Sequence, residues 1–383
     1  MSLLVDEHRQ YLADQARVSA FQRAIGEVVK PGDVALDLGA GTGILGMFAC
    51  RAGAKRVYSI EEGGIIELAR EISRANGFQE RQQFLKGLST RVDLPEKVDV
   101  IVTDQIGHFG FEAGLLEYLA DARTRFLKPG GVMMPSRVTL LAAPVESSEL
   151  WDQVEFWSHP LAGLDFHPAR SLAANTGYPV KLRAEQLLGE PVPLISFDIL
   201  TADSAPVRAE QSALITRSGT FHGIGGWFSA QLSPGVLMSN SPVVPQRIDR
   251  SNVFFPIDQP PAVEKDDEVR ISLHILPSEV MVTLKVEVRS SGQPPAGELK
   301  ARSSHSTLRG MLICQEDLQR SLPHFVPKLS AWGEARRSIL ELCDGQRTLA
   351  EIEQEVYRRH PMLFQSLGQA QGFVAEVVSR YTL

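Results

Sequence analysis

The chain has 383 residues, of which 43% are hydrophobic and 22% charged, so it has the balance of a globular protein with room for two or three domains. A net charge of -7 and three cysteines without paired ligand spacing argue against a broad nucleic-acid-binding face and against a metal site. The N-terminus has no signal-peptide pattern and no apolar run is long enough to span a bilayer, so we expect a cytoplasmic protein without membrane contact.

Helices and strands alternate in the first third of the chain. The predicted helices are Glu7–Val29, Ile44–Arg51 and Gly64–Asn76, and the predicted strands are Val34–Leu38, Arg56–Ile60 and Val98–Thr103. Alternation of this length is typical of a parallel sheet with helices on both faces. We therefore predict an α/β, Rossmann-type domain over residues 1–135.

Short strands dominate after Pro135. They are predicted at Arg137–Val145, Leu194–Leu200, Ser212–Ser218, Ile224–Leu232 and Val282–Val288. Short strands separated by turn residues indicate a β-barrel or sandwich, here over residues 136–290. A polar segment with glycine and proline at 291–307 is predicted to be a linker.

The residues after the linker, 308–383, have mainly helical patterns. The predicted helices are Glu334–Leu342, Thr348–Arg359 and Gln369–Tyr381. Thr348 and Glu351 have the spacing of a capping box, which places a helix start at Thr348.

A glycine-rich turn after the first strand is the strongest functional signal. Its residues are Asp37, Gly39, Gly41, Gly43, Ile44 and Leu45. Glycines let a ligand approach the backbone and permit positive φ. Their spacing differs from the dinucleotide fingerprint, and Glu61 ends the second strand, where an acid can accept hydrogen bonds from ribose hydroxyls. We expect the cofactor to be S-adenosylmethionine (SAM); an NAD site and a degenerate fold without a cofactor are the alternatives.

The segment Leu36–Glu61 resembles the cofactor segment of the protein arginine methyltransferases over its whole length. Four residues match that family's N-terminal helix in type and spacing: His8, Asp14, Arg17 and Phe21. The resemblance extends over about Glu7–Ser290 and implies a SAM-binding domain followed by a β-barrel. It also implies that His8 belongs to the cofactor site and that Arg17 holds the SAM carboxylate, a contact that suits a guanidinium.

The acceptor loop departs from the pattern of that family, in which two glutamates grip the substrate guanidinium. Asp104 falls at the first glutamate, Ala113 falls at the second, and Glu112 lies one residue early. The family's Thr-His-Trp triplet is replaced by residues 247–249. Asp104 and Glu112 are the candidate acceptor-orienting carboxylates, and His108 between them is a candidate general base.

The C-terminal segments Ile339–Pro361 and Phe373–Tyr381 resemble the small PqqD-like domain, a winged-helix α+β fold that serves as a peptide chaperone. The resemblance implies recognition of a peptide by strand addition, which would raise the peptide's effective concentration at the active site. The alternative is a helical appendage that packs on the barrel or forms a dimer contact. The acidic charge of the chain disfavours DNA binding.

Together these patterns predict a SAM-dependent N-methyltransferase that acts on a peptide or protein side chain in the maturation of ribosomal peptide natural products. The alternatives are an arginine methyltransferase with an altered acceptor loop, a small-molecule methyltransferase, and a non-catalytic scaffold that binds SAM and peptide. The family resemblance also implies a homodimer formed through an arm at residues 156–178. Four apolar residues cluster in that arm: Trp157, Leu161, Leu164 and Phe166.

Overall fold

The computed structural model describes residues 4–291 and 297–382. The chain divides into two compact units, Met1–Met311 and Leu312–Leu383.

A parallel sheet opens the first unit. Its strands are β1 (Val34–Leu38), β2 (Arg56–Glu61), β3 (Gln82–Lys86), β4 (Val98–Thr103) and β5 (Leu127–Met134). Their spatial order is β3-β2-β1-β4-β5, and all neighbours are parallel. The helices of this region are α1 (Leu4–Ala13), α2 (Gln15–Val28), α3 (Ile44–Ala52), α4 (Ile65–Ala75) and α5 (Leu115–Phe126). The predicted Rossmann-type sheet is confirmed.

The predicted helix Glu7–Val29 is two helices. The chain breaks at Asp14, whose side chain accepts a hydrogen bond from the Arg17 backbone N–H at 3.1 Å and so caps α2. This break matters for the site, because it turns the start of the chain back over the carboxyl ends of the strands.

Antiparallel strands make up the rest of the first unit, together with α6 (Ser148–Glu155) and α7 (Arg170–Ala173). The strands are β6 (Arg137–Val145), β7 (Tyr178–Val180), β8 (Val192–Asp198), β9 (Val207–Leu214), β10 (Gly219–Thr220), β11 (Gly223–Ser233), β12 (Val236–Ser239), β13 (Asn252–Pro256), β14 (Ala262–Val263), β15 (Glu268–Leu276), β16 (Met281–Arg289) and β17 (Leu299–Ser306). One sheet has the order β7-β13-β11-β6-β8 with β12 on β11, a second has the order β17-β16-β15-β9, and β10 pairs with β14. The expected β-barrel or sandwich is confirmed, and these antiparallel strands, β6 to β17, are called the β-domain below.

One large hydrophobic cluster includes residues from both the parallel sheet and the antiparallel strands of the first unit. Phe109, in the loop after β4, is buried and packs edge-on against Phe255 of β13 with ring centroids 5.6 Å apart. A Cβ on Gly226 of β11 would lie 2.6 Å from the Phe109 ring. The loop after β4 is therefore fixed by the β-domain as well as by the parallel sheet.

The predicted linker at 291–307 differs from the structure in its second half. Strand β17 pairs with β16 along its length, and its His305 is 5% exposed with Nδ1 3.0 Å from the Ala174 carbonyl oxygen. Exposed and half-buried residues, most of them polar, make up this edge strand apart from His305, so the segment has a polar sequence although it is paired. The Gly292–Ala296 part of the predicted linker lies outside the described residues.

Helices α8 (Gln315–Arg320), α9 (Ala331–Leu342), α10 (Leu349–Arg359) and α11 (Leu367–Tyr381) form the second unit. Apolar side chains from α9, α10 and α11 pack into a core of their own. Thr348 and Glu351 form the predicted capping box. The β part of a winged helix, implied by the resemblance for residues 308–383, is wrong for the described residues: 308–382 contain no strand.

Candidate active site

The glycine turn between β1 and α3 takes a conformation that only glycine adopts without strain. Gly39, Gly41 and Gly43 have φ of 70°, 54° and 77°. A Cβ on Gly41 would lie 2.9 Å from Cε1 of the His8 ring, and one on Gly39 would lie 2.7 Å from Nε2 of Gln105. The turn therefore has no room for a Cβ at Gly39 or Gly41, because the Gln105 and His8 side chains lie against these two residues.

Glu61 stabilises this turn from the end of β2. Its Oε2 accepts a hydrogen bond from the Gly41 N–H at 2.9 Å, and its Oε1 accepts one from the Gly63 N–H at 2.7 Å. Each carboxylate oxygen has a second lone pair, so the group can accept further hydrogen bonds from a ligand.

Asp37 does not line the cavity described below, although the sequence predicts it as a cofactor-binding residue. It is fully buried, and its Oδ2 accepts a hydrogen bond from the Gly46 N–H at 2.9 Å. The Gly46 amide belongs to the first turn of α3, so Asp37 holds the helix start against β1. Burial raises the pKa of this carboxyl to about 7, a shift that the Gly46 N–H opposes and the nearby charge of Glu61 reinforces.

We expect Asp37 to make stability depend on pH. Its folded-state pKa lies above its ordinary value, so the wild type loses stability relative to Asp37→Asn as pH rises from about 4 to about 7. Thermal unfolding of both proteins at pH 5 and pH 8 would measure the difference. A gap between their melting temperatures that does not change with pH would contradict this assignment.

Two arginines converge on Asp104 immediately after β4. Arg17 Nε of α2 lies 2.5 Å, and Arg250 Nη2 lies 2.8 Å, from the same oxygen, Asp104 Oδ2. The side chain of Arg17 is 9% exposed, that of Arg250 10% and that of Asp104 12%. Arg17 Nη1 also donates to the Tyr11 carbonyl oxygen, and Arg250 Nη1 donates to the Gly107 carbonyl oxygen.

Burial by itself raises the pKa of the Asp104 carboxyl, but the charges of Arg250 and Arg17 outweigh burial and hold that pKa below its ordinary value. The carboxylate is therefore ionised at neutral pH. Its second oxygen, Oδ1, is buried and has no hydrogen-bond partner among the described residues. One acceptor oxygen is thus left for a donor that is not part of the chain.

The Glu112 carboxylate is hydrogen-bonded to the backbone of its own loop. Its Oε1 accepts hydrogen bonds from the backbone N–H groups of His108 and Phe109, and its Oε2 accepts those of Gly110 and Phe111 at 3.1 Å each. The carboxylate therefore caps its own loop, and Ala113 occupies the position of the family's second glutamate. The His108 side chain is exposed and lines the cavity described below.

We expect Glu112→Ala to leave four loop amides without their acceptor and to lower the free energy of unfolding by about 1–3 kcal/mol. Glu112→Gln keeps an acceptor oxygen and should lose about half as much. Denaturant unfolding of the two variants checks this. If Glu112→Gln abolished turnover while leaving stability at the wild-type value, Glu112 would be an acceptor-orienting carboxylate and not a loop cap.

A cavity of about 410 Å³ joins the glycine turn to Asp104. The predicted site residues that line it are His8, Arg17, Gly39, Gly41, Ile44, Leu45, Asp104, His108 and Glu112. Gly43 and Glu61 support the turn from outside this lining. Arg250, Tyr11 and Gln105 also line it and were not predicted; Arg250 lies just after the replaced triplet and before β13, where an isolated arginine carries no sequence signal.

The residues present fit a nucleoside with a charged amino-acid tail. The glycine turn lines the cavity, so a ligand can reach its backbone. Glu61 can accept hydrogen bonds from ribose hydroxyls, and Arg17 has a buried positive charge for a carboxylate. The cavity is within the usual range of ligand sites, about 300–1,000 Å³.

Within residues 4–291 and 297–382, no three or more His, Cys, Asp or Glu side chains are grouped so that they could hold a metal ion. No helix in this described part of the chain has the length and apolar character needed to cross a membrane.

Sequence models of two families match the first unit. The model described as "Arginine methyltransferase oligomerization subdomain" matches residues 136–290, and the model described as "Ribosomal protein L11 methyltransferase (PrmA)" matches residues 20–140. Similar solved structures include a Trypanosoma brucei protein arginine methyltransferase enzyme–prozyme complex with AdoHcy and protein arginine methyltransferase 10 of Arabidopsis thaliana. Each has a TM-score of 0.69 over 78% of this chain and 97% of the other, at 21% and 23% identity, which supports the fold.

Sequence relatives extend the similarity to most of the chain. Protein arginine N-methyltransferase 6 of Xenopus tropicalis is 30% identical over 291 residues, which cover 72% of this chain and 85% of the relative. Protein arginine N-methyltransferase 1 of Chlamydomonas reinhardtii is 29% identical over 71% of this chain and 81% of the relative. With the cavity and the glycine turn described above, these matches show that the chain belongs to the SAM-dependent protein arginine methyltransferase family.

Proposed function

We propose that this protein transfers a methyl group from SAM to a nitrogen of a protein or peptide side chain, and that arginine is the first acceptor to test. The observation that carries the proposal is one cavity that contains the glycine turn, the buried Arg17 and the ionised Asp104 with an unpartnered oxygen. The names of the relatives favour arginine over the other nitrogen acceptors.

When bound, SAM supplies an electrophilic methyl group. The residues of this chain position the reactants: the turn around Gly41 admits the nucleoside, Glu61 is placed for the ribose, and Arg17 is placed for the methionyl carboxylate. Asp104 holds Arg17 in place through the Nε contact. Its free oxygen is an acceptor for an N–H of the substrate, which would orient that nitrogen for in-line attack.

The test is transfer of label from methyl-labelled SAM to peptides that differ only in one acceptor residue: arginine, lysine, histidine or glutamine. We expect the wild type to label at least one of these peptides and the Asp104→Asn variant to label none of them. Label on small amines or phenols but on no peptide would favour the small-molecule alternative. Binding of SAM and peptide without label in any combination would favour the non-catalytic scaffold.

We also propose that the protein is a homodimer formed through the segment at residues 156–178. The matched oligomerization subdomain includes this segment. Leu161 and Leu164 are 49% and 63% exposed, and Phe166 is also exposed, whereas Trp157 is partly buried beside Val154. Sedimentation of the wild type and of Leu161→Asp/Leu164→Asp would test this: a monomeric wild type would contradict it.

The second unit is the reason to keep peptide maturation as a second candidate function. It has a cavity of about 490 Å³ lined by Trp332, Phe364 and Phe373, whose rings contact one another edge-on or tilted. Since the described residues of this unit have no sheet edge, we propose that a PqqD-like role would use this aromatic groove and not strand addition. Removing 312–383 should then raise KM for a long precursor peptide and leave KM for a short peptide unchanged.

A further inference from the structure

The placement of Arg250 has no counterpart in the sequence prediction. Arg250 reaches the acceptor side of the cavity from the β-domain, just before β13, and donates through Nη2 to Asp104 and through Nη1 to the Gly107 carbonyl oxygen. Its guanidinium also lies over the Phe228 ring, 5.8 Å from the ring centroid. Three different groups thus hold one guanidinium in a nearly water-free place beside the cavity.

The surroundings keep Arg250 in this position. Asn240 is 1% exposed, and its Nδ2 donates to the carbonyl oxygens of His108 and Ser251, both at 2.8 Å. It therefore ties the loop after β4 to the residue that follows Arg250. The loop and the arginine are connected by buried hydrogen bonds, and Arg250 is not a surface side chain that happens to lie near Asp104.

The charges around Asp104 are unfavourable for a third, external guanidinium. Asp104 is the carboxylate that both Arg17 and Arg250 contact, so these three groups sum to one positive charge. The carboxylate of Glu112 also lines this cavity and keeps its negative charge, but both of its oxygens already accept backbone N–H groups of its own loop. A guanidinium from a substrate would add another positive charge in a poorly solvated place, where like charges repel strongly.

We propose that Arg250 is a specificity-determining residue that competes with a substrate guanidinium for the Asp104 carboxylate. It leaves Oδ1, which has no partner among the described residues, so a substrate guanidinium meets one free carboxylate oxygen where its fork could use two. An arginine substrate has to displace Arg250 before it can bind Asp104 through both oxygens. This inference deepens the proposed function and rests on it for the identity of the site.

The test measures binding, so it does not require turnover. Full-length protein is first loaded with S-adenosylhomocysteine (AdoHcy), the demethylated form of SAM. A peptide with one arginine is then titrated into the wild type, Arg250→Gln and Arg250→Lys, and binding is measured by calorimetry. We expect Arg250→Gln to bind the peptide at least about tenfold more tightly than the wild type. Arg250→Lys keeps the competing charge and should gain less than Arg250→Gln.

Arg247→Gln is the matched control. Arg247 is three residues earlier, and its Nη1 donates to the Leu182 carbonyl oxygen and not to Asp104, so this variant removes the same charge from the same segment. Its affinity for the peptide should equal that of the wild type. Adding Asp104→Asn to Arg250→Gln should abolish the gain.

Two outcomes would overturn the inference: Arg250→Gln binds the arginine peptide no better than the wild type, or Arg247→Gln gains as much. Thermal unfolding of each variant with AdoHcy shows whether it is folded and loaded. If no variant bound AdoHcy, the proposed function would fail at the cofactor. If AdoHcy bound and Arg250→Gln gained nothing, the proposed role of Arg250 alone would fail.

Discussion

Asp104→Asn should lower turnover at saturating SAM by at least about a hundredfold while changing AdoHcy affinity by less than about tenfold. The change removes the charge that two buried guanidiniums share, and it removes the free oxygen available to the acceptor. The glycine turn and Glu61 do not contact Asp104, so most of the proposed cofactor contacts persist. Initial rates with labelled SAM and calorimetry with AdoHcy measure the two quantities.

The same variant should be less stable by about 3 kcal/mol, because two buried positive charges would face each other without their counter-ion. Since ion pairing lowers the folded-state pKa of Asp104, its stabilising effect is present at neutral pH and is lost as pH falls through that pKa. The stability gap between the wild type and Asp104→Asn should therefore narrow in acid. Unfolding curves at pH 7 and at pH values below the ordinary carboxyl pKa of 3.8 would show it.

Asp121→Asn is a suitable control for Asp104→Asn. Asp121 also pairs with an arginine, Arg125, at 3.1 Å, but on α5 and away from the cavity. It should have wild-type turnover and lose less than about 1 kcal/mol of stability. If Asp104→Asn behaved like Asp121→Asn, or if its AdoHcy affinity fell as far as its turnover, the assignment of Asp104 to the acceptor side would be wrong.

Arg17→Lys should affect AdoHcy affinity more than turnover, the reverse of Asp104→Asn. We expect the affinity to fall about 10- to 100-fold and turnover at saturating SAM to fall less. Arg17 uses Nε for Asp104 and Nη1 for the Tyr11 carbonyl oxygen, which leaves Nη2 for the proposed methionyl carboxylate. An ammonium has the charge but not the planar fork, so it cannot make all three contacts. Calorimetry with AdoHcy and rates at increasing SAM concentration separate the two effects.

Arg23→Lys on the same helix is the control, because Arg23 is exposed. Its affinity for AdoHcy should match that of the wild type. An unchanged affinity in Arg17→Lys would mean that Arg17 only supports Asp104 and that the cofactor carboxylate is held elsewhere.

The placement of the residues around the glycine turn can be predicted from the sequence. Gly39, Gly41 and Glu61 are consecutive landmarks at the ends of β1 and β2, and the parallel sheet necessarily brings the carboxyl ends of these strands together. Arg17 could be assigned from its resemblance to the family because it lies at a fixed distance from the turn. In each case a local pattern was enough.

The acceptor half was predicted less well, because it depends on contacts between distant segments. Arg250 is 146 residues from Asp104, and Asn240 is 132 residues from His108, and neither pair leaves a repeating pattern in the sequence. Glu112 was assigned to the acceptor because of its charge. Its side chain instead turns back on its own loop. The backbone conformation of that loop includes the positive φ of Gly107 and Gly110. Residue type therefore predicts that a carboxylate lies in this loop, but not which groups that carboxylate contacts.

The shared core of the first unit has a practical consequence for dissecting this protein. Phe109 lies in the loop after β4, yet its ring is enclosed by Phe255 and Gly226 of the β-domain. A fragment that stops at Pro135 would expose this ring and release the loop that carries Asp104. The methyl-donor half should consequently not be obtainable as an isolated folded piece, and shortened versions meant for crystallisation or screening should extend at least to Met311.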